Sequence, residues 1–445
     1  MNSFESIRSK IEDKSTIVGV IGLGQVGLPT ALTFCEVGFS VLGHDVNKGL
    51  LETLEKGQMP FFESGLEEIL KNSLSKGKFH TESQIENLVS KCDVIIICVA
   101  TPISSDILPN LSFLSNVCNS LARQKIEGKL ILVESSIPPY TFENLVMTTL
   151  DKDQELGEKF WMAFVPERLA PGQAIFEITT TPRVIGYMDN KSETLAKLLY
   201  QNIVKSKIVT APVRVAEISK LVENTYRDVN VALANEIAKI CEIYGIDVEE
   251  LRMVCNTHPR VNLLRPGPGV GGPCLPKDPH LLLNPQGSLP IKSNLITEAR
   301  KVNDSMPLHV LGIINQEFRN DTTGKTITIL GVTYKANVSD TRYSPAIQII
   351  PSLKQKGFKV EVYDPFSDET FGGEKCNNLW DSISKSSMLL ILTDHSEFKS
   401  INLDKIKQVM ETPLIFDCRG IFDKNQVKQI GIKYLGIGYN PNKSY

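Results

Sequence analysis

Three glycines near the start of the chain constrain its fold more than any other feature. Residues 16–21 form an apolar run typical of a buried strand, and they lead into Gly22-Leu23-Gly24-Gln25-Val26-Gly27 and then a helical pattern. The first glycine permits a tight turn, the second lets backbone approach a pyrophosphate, and the third lets the helix pack on the strand. This arrangement predicts a dinucleotide-binding α/β unit.

The second strand predicts which dinucleotide this unit binds. Residues 40–44 form the next apolar run, which ends at Asp45, about 20 residues after the glycines. A carboxylate there accepts hydrogen bonds from ribose hydroxyls and repels a 2′-phosphate. We therefore expect NAD rather than NADP; the alternative is a fold of this type that has lost its ligand.

Length, composition and charge restrict the class of protein. A chain of 445 residues predicts two or three domains. A net charge of −3 argues against nucleic-acid binding, which usually needs an excess of Lys and Arg. No apolar run is long enough to span a membrane, and nine cysteines without paired spacing fit a reducing compartment. We expect a cytoplasmic protein with no metal site.

Polar residues follow several predicted strands of the first sheet. The strands are expected at residues 93–99, 129–133, 161–165 and 183–187. The polar residues are Thr101, the sequence Glu134-Ser135-Ser136, and the pair Glu167-Arg168. Ligands of doubly wound parallel sheets bind at strand ends, so these groups are expected to surround one crevice. Each of these groups, taken singly, is better explained as turn chemistry.

A long helix is predicted over residues 211–244. Its length favours either a connection between domains or packing against a second copy, and we expect a homodimer. Lys220 and Asn224 are four residues apart and share one face of this helix, so both can point at one ligand. The alternative is a solvated lysine and a structural asparagine. Residues 294–303 predict a helix that leads through Pro307 to another helix.

A second α/β unit begins near Lys325. Residues 326–332, 359–363, 388–393 and 413–416 are typical of buried parallel strands. No glycine-rich turn of the first kind follows its first strand. Lys335 and Arg342 lie near its strand ends instead, which suits recognition of an anion, although solvated loop cations are the alternative. Two nucleotide ligands are therefore expected.

The segment between the two sheets contains four glycines and five prolines within residues 265–280. Proline removes backbone donors and glycine costs backbone entropy, so this segment is a shaped loop. Cys274 lies at its centre, with Lys277 and Asp278 just downstream, and such surroundings can favour a thiolate nucleophile. A buried structural cysteine is the alternative.

Together these stretches resemble the UDP-glucose/GDP-mannose dehydrogenase family over nearly the whole chain. The resemblance implies two Rossmann-like doubly wound parallel sheets joined by a central helical region. The matching residues are Gly22 to Gly27, Thr101-Pro102, Glu134 to Pro139, Pro166 to Leu169, Ala216 to Asn224, Pro266 to Asp278, Lys335, Asp340, Arg342 and Pro345. The implied domains are an NAD-binding domain at 1–209, a central dimerisation domain at 210–310 and a UDP-sugar-binding domain at 311–445.

The resemblance also implies the reaction, a four-electron oxidation of a UDP-sugar C6 alcohol to the uronate with NAD as the acceptor. Cys274 forms a thiohemiacetal and then a thioester with the sugar. Lys220 and Asn224 stabilise the oxyanion, and Asp278 accepts a proton or relays it through water. Glu167 assists hydrolysis of the thioester, and Ser136 is counted among the catalytic residues through its hydroxyl. The implied NAD contacts are Gly22, Gly24, Gln25, Val26, Gly27, Asp45, Thr101, Ser136 and Lys277. The implied sugar-nucleotide contacts are Glu167, Arg168, Leu169, Lys220, Asn224, Arg260, Gly271, Lys335 and Arg342.

Substrate preference within the family is indicated by residues 257–272, which look most like the branch acting on UDP-N-acetylhexosamines, particularly UDP-N-acetylmannosamine. UDP-glucose or UDP-N-acetylglucosamine is the alternative substrate. Ser136 stands where the family usually has threonine, and Pro273 where relatives acting on N-acetylated sugars often have histidine. A non-catalytic sensor is disfavoured because Cys274 and Lys220 are present, and a hydroxy-acid dehydrogenase leaves Cys274 without a role. In a dimer, Arg260 is expected to reach the partner's sugar nucleotide.

Overall fold

The computed structural model describes residues 3–104, 106–152, 155–319, 321–384, 386–410 and 412–439. The chain divides into two compact units. The first unit is Met1–Glu223 with Lys277–Lys292, and the second is Asn224–Pro276 with Ser293–Tyr445. The chain therefore passes from one unit to the other inside a helix and again at each end of the short segment that begins at Lys277.

The described residues form fourteen strands and eighteen α-helices. The strands are β1 (Ile17–Ile21), β2 (Ser40–His44), β3 (Phe79–Thr81), β4 (Val94–Ile97), β5 (Leu130–Val133), β6 (Trp161–Phe164), β7 (Arg183–Tyr187), β8 (Ile208–Pro212), β9 (Thr326–Leu330), β10 (Lys359–Tyr363), β11 (Glu374–Lys375), β12 (Met388–Ile391), β13 (Leu414–Asp417) and β14 (Lys433–Gly436). The helices are α1 (Ser3–Glu12), α2 (Gly27–Glu36), α3 (Lys48–Glu55), α4 (Leu66–Ser75), α5 (Ile85–Lys91), α6 (Ser112–Ala122), α7 (Thr148–Leu150), α8 (Ala174–Thr180), α9 (Asn190–Tyr200), α10 (Val213–Tyr244), α11 (Val248–Cys255), α12 (Asp278–Leu283), α13 (Asn294–Phe318), α14 (Ala346–Gln355), α15 (Leu379–Ser384), α16 (Ser396–Lys399), α17 (Leu403–Val409) and α18 (Lys424–Ile430). A π-helical segment, Phe142–Met147, precedes α7.

The first unit is built on an eight-stranded sheet with the order β3-β2-β1-β4-β5-β6-β7-β8. The predicted parallel arrangement is confirmed for β1 to β6. Strand β7 runs antiparallel to β6, and β8 runs parallel to β7. The connection that contains α8 therefore joins two neighbouring strands of opposite direction. The last two strands run opposite to β1–β6, which differs from the all-parallel sheet expected from the sequence.

The second unit contains a six-stranded sheet with the order β11-β10-β9-β12-β13-β14. All of its strand pairs are parallel. Its order is the same as that of the first six strands in the first unit, so both sheets are doubly wound, as predicted. The strands that the sequence did not predict, namely β3, β8, β11 and β14, are short or partly exposed edge strands with polar residues.

Apolar residues cover both faces of each sheet. In β4, Val94 and Ile96 belong to the core on one face, and Ile95 and Ile97 to the core on the other. Strand β12 alternates between two cores in the same way. Side chains along a strand alternate between faces, so a strand buried on both faces has to be continuously apolar, which is the pattern that these strands show.

Helix α13 departs from the sequence-based expectation. It runs without interruption from Asn294 to Phe318 and contains Pro307, where two helices were expected. A proline inside a helix removes one hydrogen bond and costs about 3 kcal/mol. Its neighbours Met306, Val310 and Ile314 are fully buried in the core of the second unit, and their burial offsets that cost.

A chain of buried polar contacts joins α10, α13 and the loop after residue 265 inside the second unit. The backbone N–H of Gly267 donates to Asn235 Oδ1 (2.9 Å), and Asn235 Nδ2 donates to Asn303 Oδ1 (3.0 Å). Asn303 Nδ2 in turn donates to Asp228 Oδ1 (2.9 Å), which also accepts from Arg300 Nη1 (2.5 Å). Asp228 anchors this chain, and the side chains of Asp228 and Arg300 are 0% and 5% exposed.

Replacing Asp228 by alanine should destabilise the second unit strongly. Arg300 would remain buried with only the exposed Asp304 as a carboxylate partner, and breaking a buried ion pair by removing one member costs about 3–5 kcal/mol. Denaturant unfolding followed by circular dichroism measures the change. Glu298→Ala on the same helix is the matched control, because Glu298 pairs with Lys301 at the surface and both side chains are exposed. Equal stability of the two variants would contradict the assignment.

Candidate active site

The glycine-rich turn after β1 has the geometry that a dinucleotide pyrophosphate needs. Gly22 has φ +92°, and a Cβ on Gly27 would lie 1.9 Å from the carbonyl oxygen of Gly22. A Cβ on Gly24 would meet nothing within 4 Å, so this backbone is open on that side. The first turn of α2 has no side-chain cap. Its Leu28 and Thr30 N–H groups donate to the carbonyl oxygens of Gly24 and Val26, so an anion at this helix start has to be bound by the glycine-rich turn that precedes them. The residues present therefore fit NAD.

Asp45 lies directly after β2 and is half-buried. Its Oδ2 accepts from the backbone N–H of Leu23 (2.9 Å) and its Oδ1 from that of Asn47 (2.9 Å). These bonds fix the carboxylate beside the glycine-rich turn. Each oxygen has a further lone pair, which is available to the ribose hydroxyl that the sequence predicts as its partner.

Thr101, Ser136 and Lys277 are brought together in the first unit. Thr101 Oγ1 donates a short hydrogen bond to the carbonyl oxygen of Ser136. Lys277 Nζ donates to the carbonyl oxygen and to Oγ1 of Thr101 (3.1 and 3.2 Å) and lies 3.7 Å from Asp278 Oδ1. Three residues that the sequence places far apart therefore form one polar cluster, which also includes the fully buried Asp278.

Glu167 is a buried carboxyl group with an unusual environment. It is 7% exposed, and its Oε1 has no hydrogen-bond partner among the described residues. Burial raises the pKa of Glu167 to about 7, and the positive charges of Lys220 and Arg183 oppose this rise. Lys220 is itself 7% exposed. A carboxyl that titrates near neutral pH beside a buried ammonium is suited to proton transfer.

Two residues next to Glu167 are held by the first unit itself. Arg168 Nη1 donates to the carbonyl oxygen of Pro182 (3.0 Å), and Nη2 forms a short ion pair with Glu223. Leu169 packs against the apolar core. The guanidinium of Arg168 is thus already engaged by α10, which fixes the strand-end segment that carries Glu167.

Glu134 directly follows β5 and is bonded by side chains of neighbouring elements. Its carboxylate accepts from Tyr200 OH (2.5 Å), Thr30 Oγ1 (3.2 Å) and Cys98 Sγ (3.3 Å). It is 1% exposed. These bonds tie α2 and α9 to the sheet, and the charge of Glu134 contributes to the raised pKa of Glu167.

Helix α10 carries the next two candidate residues on one face. Lys220 and Asn224 are one turn apart, and both are buried. Near the start of the helix, Glu217 accepts from the backbone N–H groups of Tyr140 (2.8 Å) and Phe142 (2.9 Å). Burial raises the pKa of Glu217 to about 7, while those two N–H donors lower it. This contact fixes the rotation of α10 in the first unit and hence the direction of Lys220.

The glycines of the cysteine loop are required by close packing in the second unit. A Cβ on Gly271 would lie 2.7 Å from Tyr334 Cβ, and one on Gly272 would lie 2.6 Å from the Tyr334 ring. Gly272 has φ +89°, and its N–H donates to the carbonyl oxygen of Arg342 (2.9 Å). Tyr334 therefore supports the loop two residues before Cys274, which is half-buried.

Arg342 and Lys335 lie in the same unit as Cys274. Arg342 pairs with Asp340 through Nε (3.0 Å to Oδ1) and Nη2 (2.6 Å to Oδ2). The hydrogen bond from Arg342 to Asp340 raises the pKa of the guanidinium. Lys335 is half-buried in the turn after β9, and its carbonyl oxygen accepts from Thr333 Oγ1 (2.9 Å). Asp340 therefore fixes the guanidinium of Arg342, and Thr333 fixes the backbone of Lys335.

Arg419 was not among the predicted site residues. It follows β13, its Nε donates to the carbonyl oxygen of Leu392 (2.8 Å), and burial lowers its pKa. It lines a cavity of about 210 Å³ together with Arg265, Lys424 and Tyr434. The sequence did contain a signal for Arg419. The sequence Asp417-Cys418-Arg419 follows a predicted strand, as do the polar residues that were predicted to bind ligands in the first sheet.

Arg260 is placed differently from the other candidates. It is exposed, and its backbone N–H donates to His258 Nδ1 (3.3 Å).

Within the described part of the chain, no group of His, Cys, Asp and Glu side chains has the arrangement to hold a metal ion. In that same part, no helix has both the length and the apolar character to cross a membrane.

Comparisons with known proteins agree with this geometry. Three domain models of the UDP-glucose/GDP-mannose dehydrogenase family match the chain: the NAD binding domain at residues 16–204, the central domain at 214–305 and the UDP binding domain at 328–424. A UDP-N-acetyl-D-mannosamine dehydrogenase of Methanococcus vannielii is 38% identical over 429 residues, covering 94% of this chain and 96% of that protein.

Two solved structures are also similar. A UDP-D-ManNAc dehydrogenase from Pyrococcus horikoshii is 36% identical with a TM-score of 0.86, and the match covers 95% of this chain and 99% of that one. A UDP-N-acetyl-mannosamine dehydrogenase from Staphylococcus aureus is 34% identical with a TM-score of 0.84, over 95% of this chain and 98% of that one. The chain therefore belongs to the UDP-glucose/GDP-mannose dehydrogenase family and is an NAD-dependent nucleotide-sugar dehydrogenase.

Proposed function

We propose that the protein oxidises the C6 alcohol of UDP-N-acetyl-D-mannosamine to the uronate. The substrate follows from relatives of that name at 36–38% identity over nearly the whole chain. The observation that carries the chemistry is Glu167, whose pKa burial raises to about 7 although the charge of Lys220 opposes the rise. It supplies an acid–base group where a thioester has to be hydrolysed.

The nucleophile in this proposal is Cys274. Bound NAD supplies the hydride acceptor for each of two oxidations. The thiolate of Cys274 adds to the C6 aldehyde and gives a thiohemiacetal, whose oxidation leaves a thioester. Lys220 and Asn224 donate hydrogen bonds to the C6 oxygen while it carries negative charge. Asp278 accepts the released proton, and the Ser136 hydroxyl assists.

Hydrolysis of the thioester is assigned to Glu167. Its carboxylate accepts a proton from water as the water attacks the thioester carbonyl, and the Cys274 thiolate leaves. This step consumes one water, releases the uronate and regenerates the thiolate of Cys274. A carboxyl of ordinary pKa would be a weaker base at neutral pH, so the burial of Glu167 has a direct chemical use.

The UDP group is assigned to the second unit. Lys335 and Arg419 follow strands β9 and β13 of its parallel sheet, and ligands of such sheets bind beyond the carboxyl ends of the strands. Lys335 provides a charge for the diphosphate, and Arg342, Gly271 and the Arg168-Leu169 segment contribute further contacts. The functional domains remain as proposed from the sequence, at 1–209, 210–310 and 311–445.

A cytoplasmic location is part of the proposal. All nine cysteines are free, and free thiols of this number fit a reducing compartment.

A homodimer is also proposed, on the basis of an exposed apolar stripe along α10. Tyr226, Leu233, Ile240 and Tyr244 are 67%, 49%, 47% and 62% exposed. Their spacings of seven, seven and four residues place them on one face of the helix. Apolar side chains in such a row favour contact with a second copy of the chain.

The substrate is tested by following NADH with purified enzyme and a panel of UDP- and GDP-sugars. UDP-N-acetylmannosamine should give the highest kcat/KM, and two NADH should form for each sugar consumed, because the aldehyde stays bound to Cys274. UDP-N-acetylglucosamine and UDP-glucose are the matched comparisons. Faster oxidation of UDP-glucose than of every N-acetylated sugar would reject the proposed substrate, and one NADH per sugar would reject the four-electron reaction.

The role of Glu167 predicts a pH dependence. Its carboxylate form is the base, and its pKa lies at about 7, so thioester hydrolysis should rise with pH through 7 and fall about tenfold per unit below it. Glu167→Gln should remove this limb and accumulate a sugar thioester. Intact-protein mass spectrometry after mixing with substrate and NAD detects the adduct.

The double variant Glu167→Gln with Cys274→Ala is the control for this experiment and should show no adduct. Cys274→Ala alone should still bind NAD and the sugar nucleotide, since the loop backbone remains, but release no uronate. Turnover of Glu167→Gln at the wild-type rate over the whole pH range would remove Glu167 from the mechanism.

The dimer and Arg260 are tested together. Light scattering should give twice the chain mass for the wild type, and Leu233→Lys with Ile240→Lys should shift it towards the monomer by placing charge in the stripe. Arg260→Ala should raise KM for the UDP-sugar much more than KM for NAD, because its guanidinium is expected to contact the sugar nucleotide of the partner.

Leu108→Lys is the matched control for mass, because Leu108 is also half-exposed but lies outside the stripe. Arg260→Lys should recover only part of the lost affinity, since lysine keeps the charge but not the planar donor pair. An active monomeric wild type would reject the dimer, and unchanged sugar-nucleotide kinetics in Arg260→Ala would reject its role.

A further inference from the structure

The two units repeat the same backbone arrangement where their first strands end. Gly22 follows β1 with φ +92°, and Gly331 follows β9 with φ +84°. Each glycine N–H donates to the carbonyl oxygen of the last residue of the neighbouring strand, His44 in one unit (2.8 Å) and Tyr363 in the other (2.9 Å). The turn after β9 therefore corresponds, atom by atom at these positions, to the dinucleotide turn of the first unit.

A carboxylate occupies the equivalent place in both repeats. Asp45 Oδ2 accepts from the N–H of Leu23 (2.9 Å), and Asp364 Oδ2 accepts from that of Val332 (2.7 Å). In each case Oδ1 accepts from the backbone N–H two residues further on, at 2.9 and 2.8 Å. Asp364 is thus the counterpart in the second unit of the ribose-binding carboxylate.

The two carboxylates differ in what covers them. Asp45 and Asp364 are both half-buried as whole residues, and Asp45 is followed by the exposed Val46. The side chains of Asp364 and His395 are both 0% exposed, and His395 Nε2 lies 3.1 Å from Asp364 Oδ2. The ring of Phe366 stacks on that of His395 at 4.9 Å. A ribose hydroxyl has no route to the Asp364 carboxylate, so this carboxylate cannot take the ribose-binding role that is predicted for Asp45.

The hydrogen bonds of His395 define its protonation. Its Nδ1 accepts from the N–H of Asn337 (2.9 Å), so the ring proton is on Nε2, which faces Asp364 Oδ2 and Thr333 Oγ1 (3.2 Å). Although burial alone would raise the pKa of Asp364, the hydrogen bond from His395 and the backbone N–H donors lower it. A neutral imidazole thus bridges a carboxylate and the backbone of the turn after β9.

The bridge encloses Lys335. Thr333 and Asn337, two residues to either side, are both bonded to His395, and Thr333 Oγ1 also donates to the carbonyl oxygen of Lys335 (2.9 Å). Asn337 has φ +58°, in the left-handed region that asparagine tolerates better than most residues, and its bonds to His395 and Ser396 hold it there. The backbone around Lys335 is therefore fixed on both sides, at Thr333 and at Asn337.

We propose that His395 is a positioning residue for the sugar nucleotide. It covers the Asp364 carboxylate, which is the counterpart of Asp45, and together with Asp364 it fixes the turn that presents Lys335. This inference rests on the proposed assignment of UDP to the second unit. The same side chain then has two effects. It excludes a dinucleotide from the second sheet, and it preorganises the cation for a diphosphate.

The test compares three variants by calorimetric titration with UDP and by steady-state kinetics. His395→Phe keeps the ring and its stacking on Phe366 but removes both nitrogens. His395→Asn keeps an acceptor at the position of Nδ1, and His395→Gln keeps a donor near that of Nε2. His395→Phe should weaken UDP binding and raise KM for the UDP-sugar about tenfold, the scale of one or two lost hydrogen bonds, with KM for NAD within about twofold of wild type.

His395→Asn should stay closest to the wild type, because it retains the bond to Asn337 that holds the end of the turn, whereas His395→Gln should resemble His395→Phe. If His395→Phe does not fold, His395→Gln decides the question. Folded variants with wild-type affinity for UDP, or with equal losses for UDP and NAD, would overturn the inference.

Lys335→Ala separates this inference from the proposed function. It should weaken UDP binding at least as much as His395→Phe. Unchanged UDP affinity in Lys335→Ala would show that the UDP assignment is wrong. Weakened affinity in Lys335→Ala together with wild-type affinity in all His395 variants would retain the assignment and reject the positioning role.

Discussion

Burial of both faces of a parallel sheet is the constraint on which the rest of this protein depends. Strands such as β4 and β12 have no face left for polar groups, because alternate residues enter two different cores. Charged and hydroxyl side chains are consequently concentrated in the turns after the strands, where carboxyl ends of parallel strands meet. The candidate groups Asp45, Thr101 and Glu167 all follow strands in this way.

Burial also sets the electrostatics of these groups. Glu167 has little access to water and titrates at about 7, although the charge of Lys220 favours its ionised form. The side chain of Asp364 is also covered, yet hydrogen bonds from His395 and from the backbone lower its pKa against the effect of burial. Asp364 therefore receives donors that oppose the effect of burial, whereas Oε1 of Glu167 has no such donor among the described residues. One carboxyl is available for proton transfer, and the other is committed to holding a turn.

The two repeats show how one local arrangement serves two purposes. A glycine with positive φ and a carboxylate one strand away recur in both units. In the first, the carboxylate remains accessible to a ligand. In the second, a histidine from the turn after β12 fills that place. The second sheet thus shares its strand order with the first, while the corresponding carboxylate is bonded to a histidine.

The sequence by itself determined the parts that depend on local chemistry. Apolar runs of four to seven residues identified the strands of both sheet centres, glycine spacing identified the NAD turn, and the Gly/Pro content identified the cysteine loop. Short edge strands were missed because two or three residues with polar side chains carry no periodic signal. Pro307 was expected to end a helix because sequence patterns do not include the core that buries its neighbours.

The tertiary structure decided which polar residues meet. Thr101, Ser136 and Lys277 are far apart in the chain and form one cluster, while Arg168 is engaged by Glu223. The pairing of Asp364 with His395 and the position of Arg419 likewise follow from the order of the strands. Contacts between distant segments depend on which strands become neighbours, and desolvation depends on what covers a side chain. Neither quantity is contained in the local pattern of residues, whereas turn geometry and strand burial are.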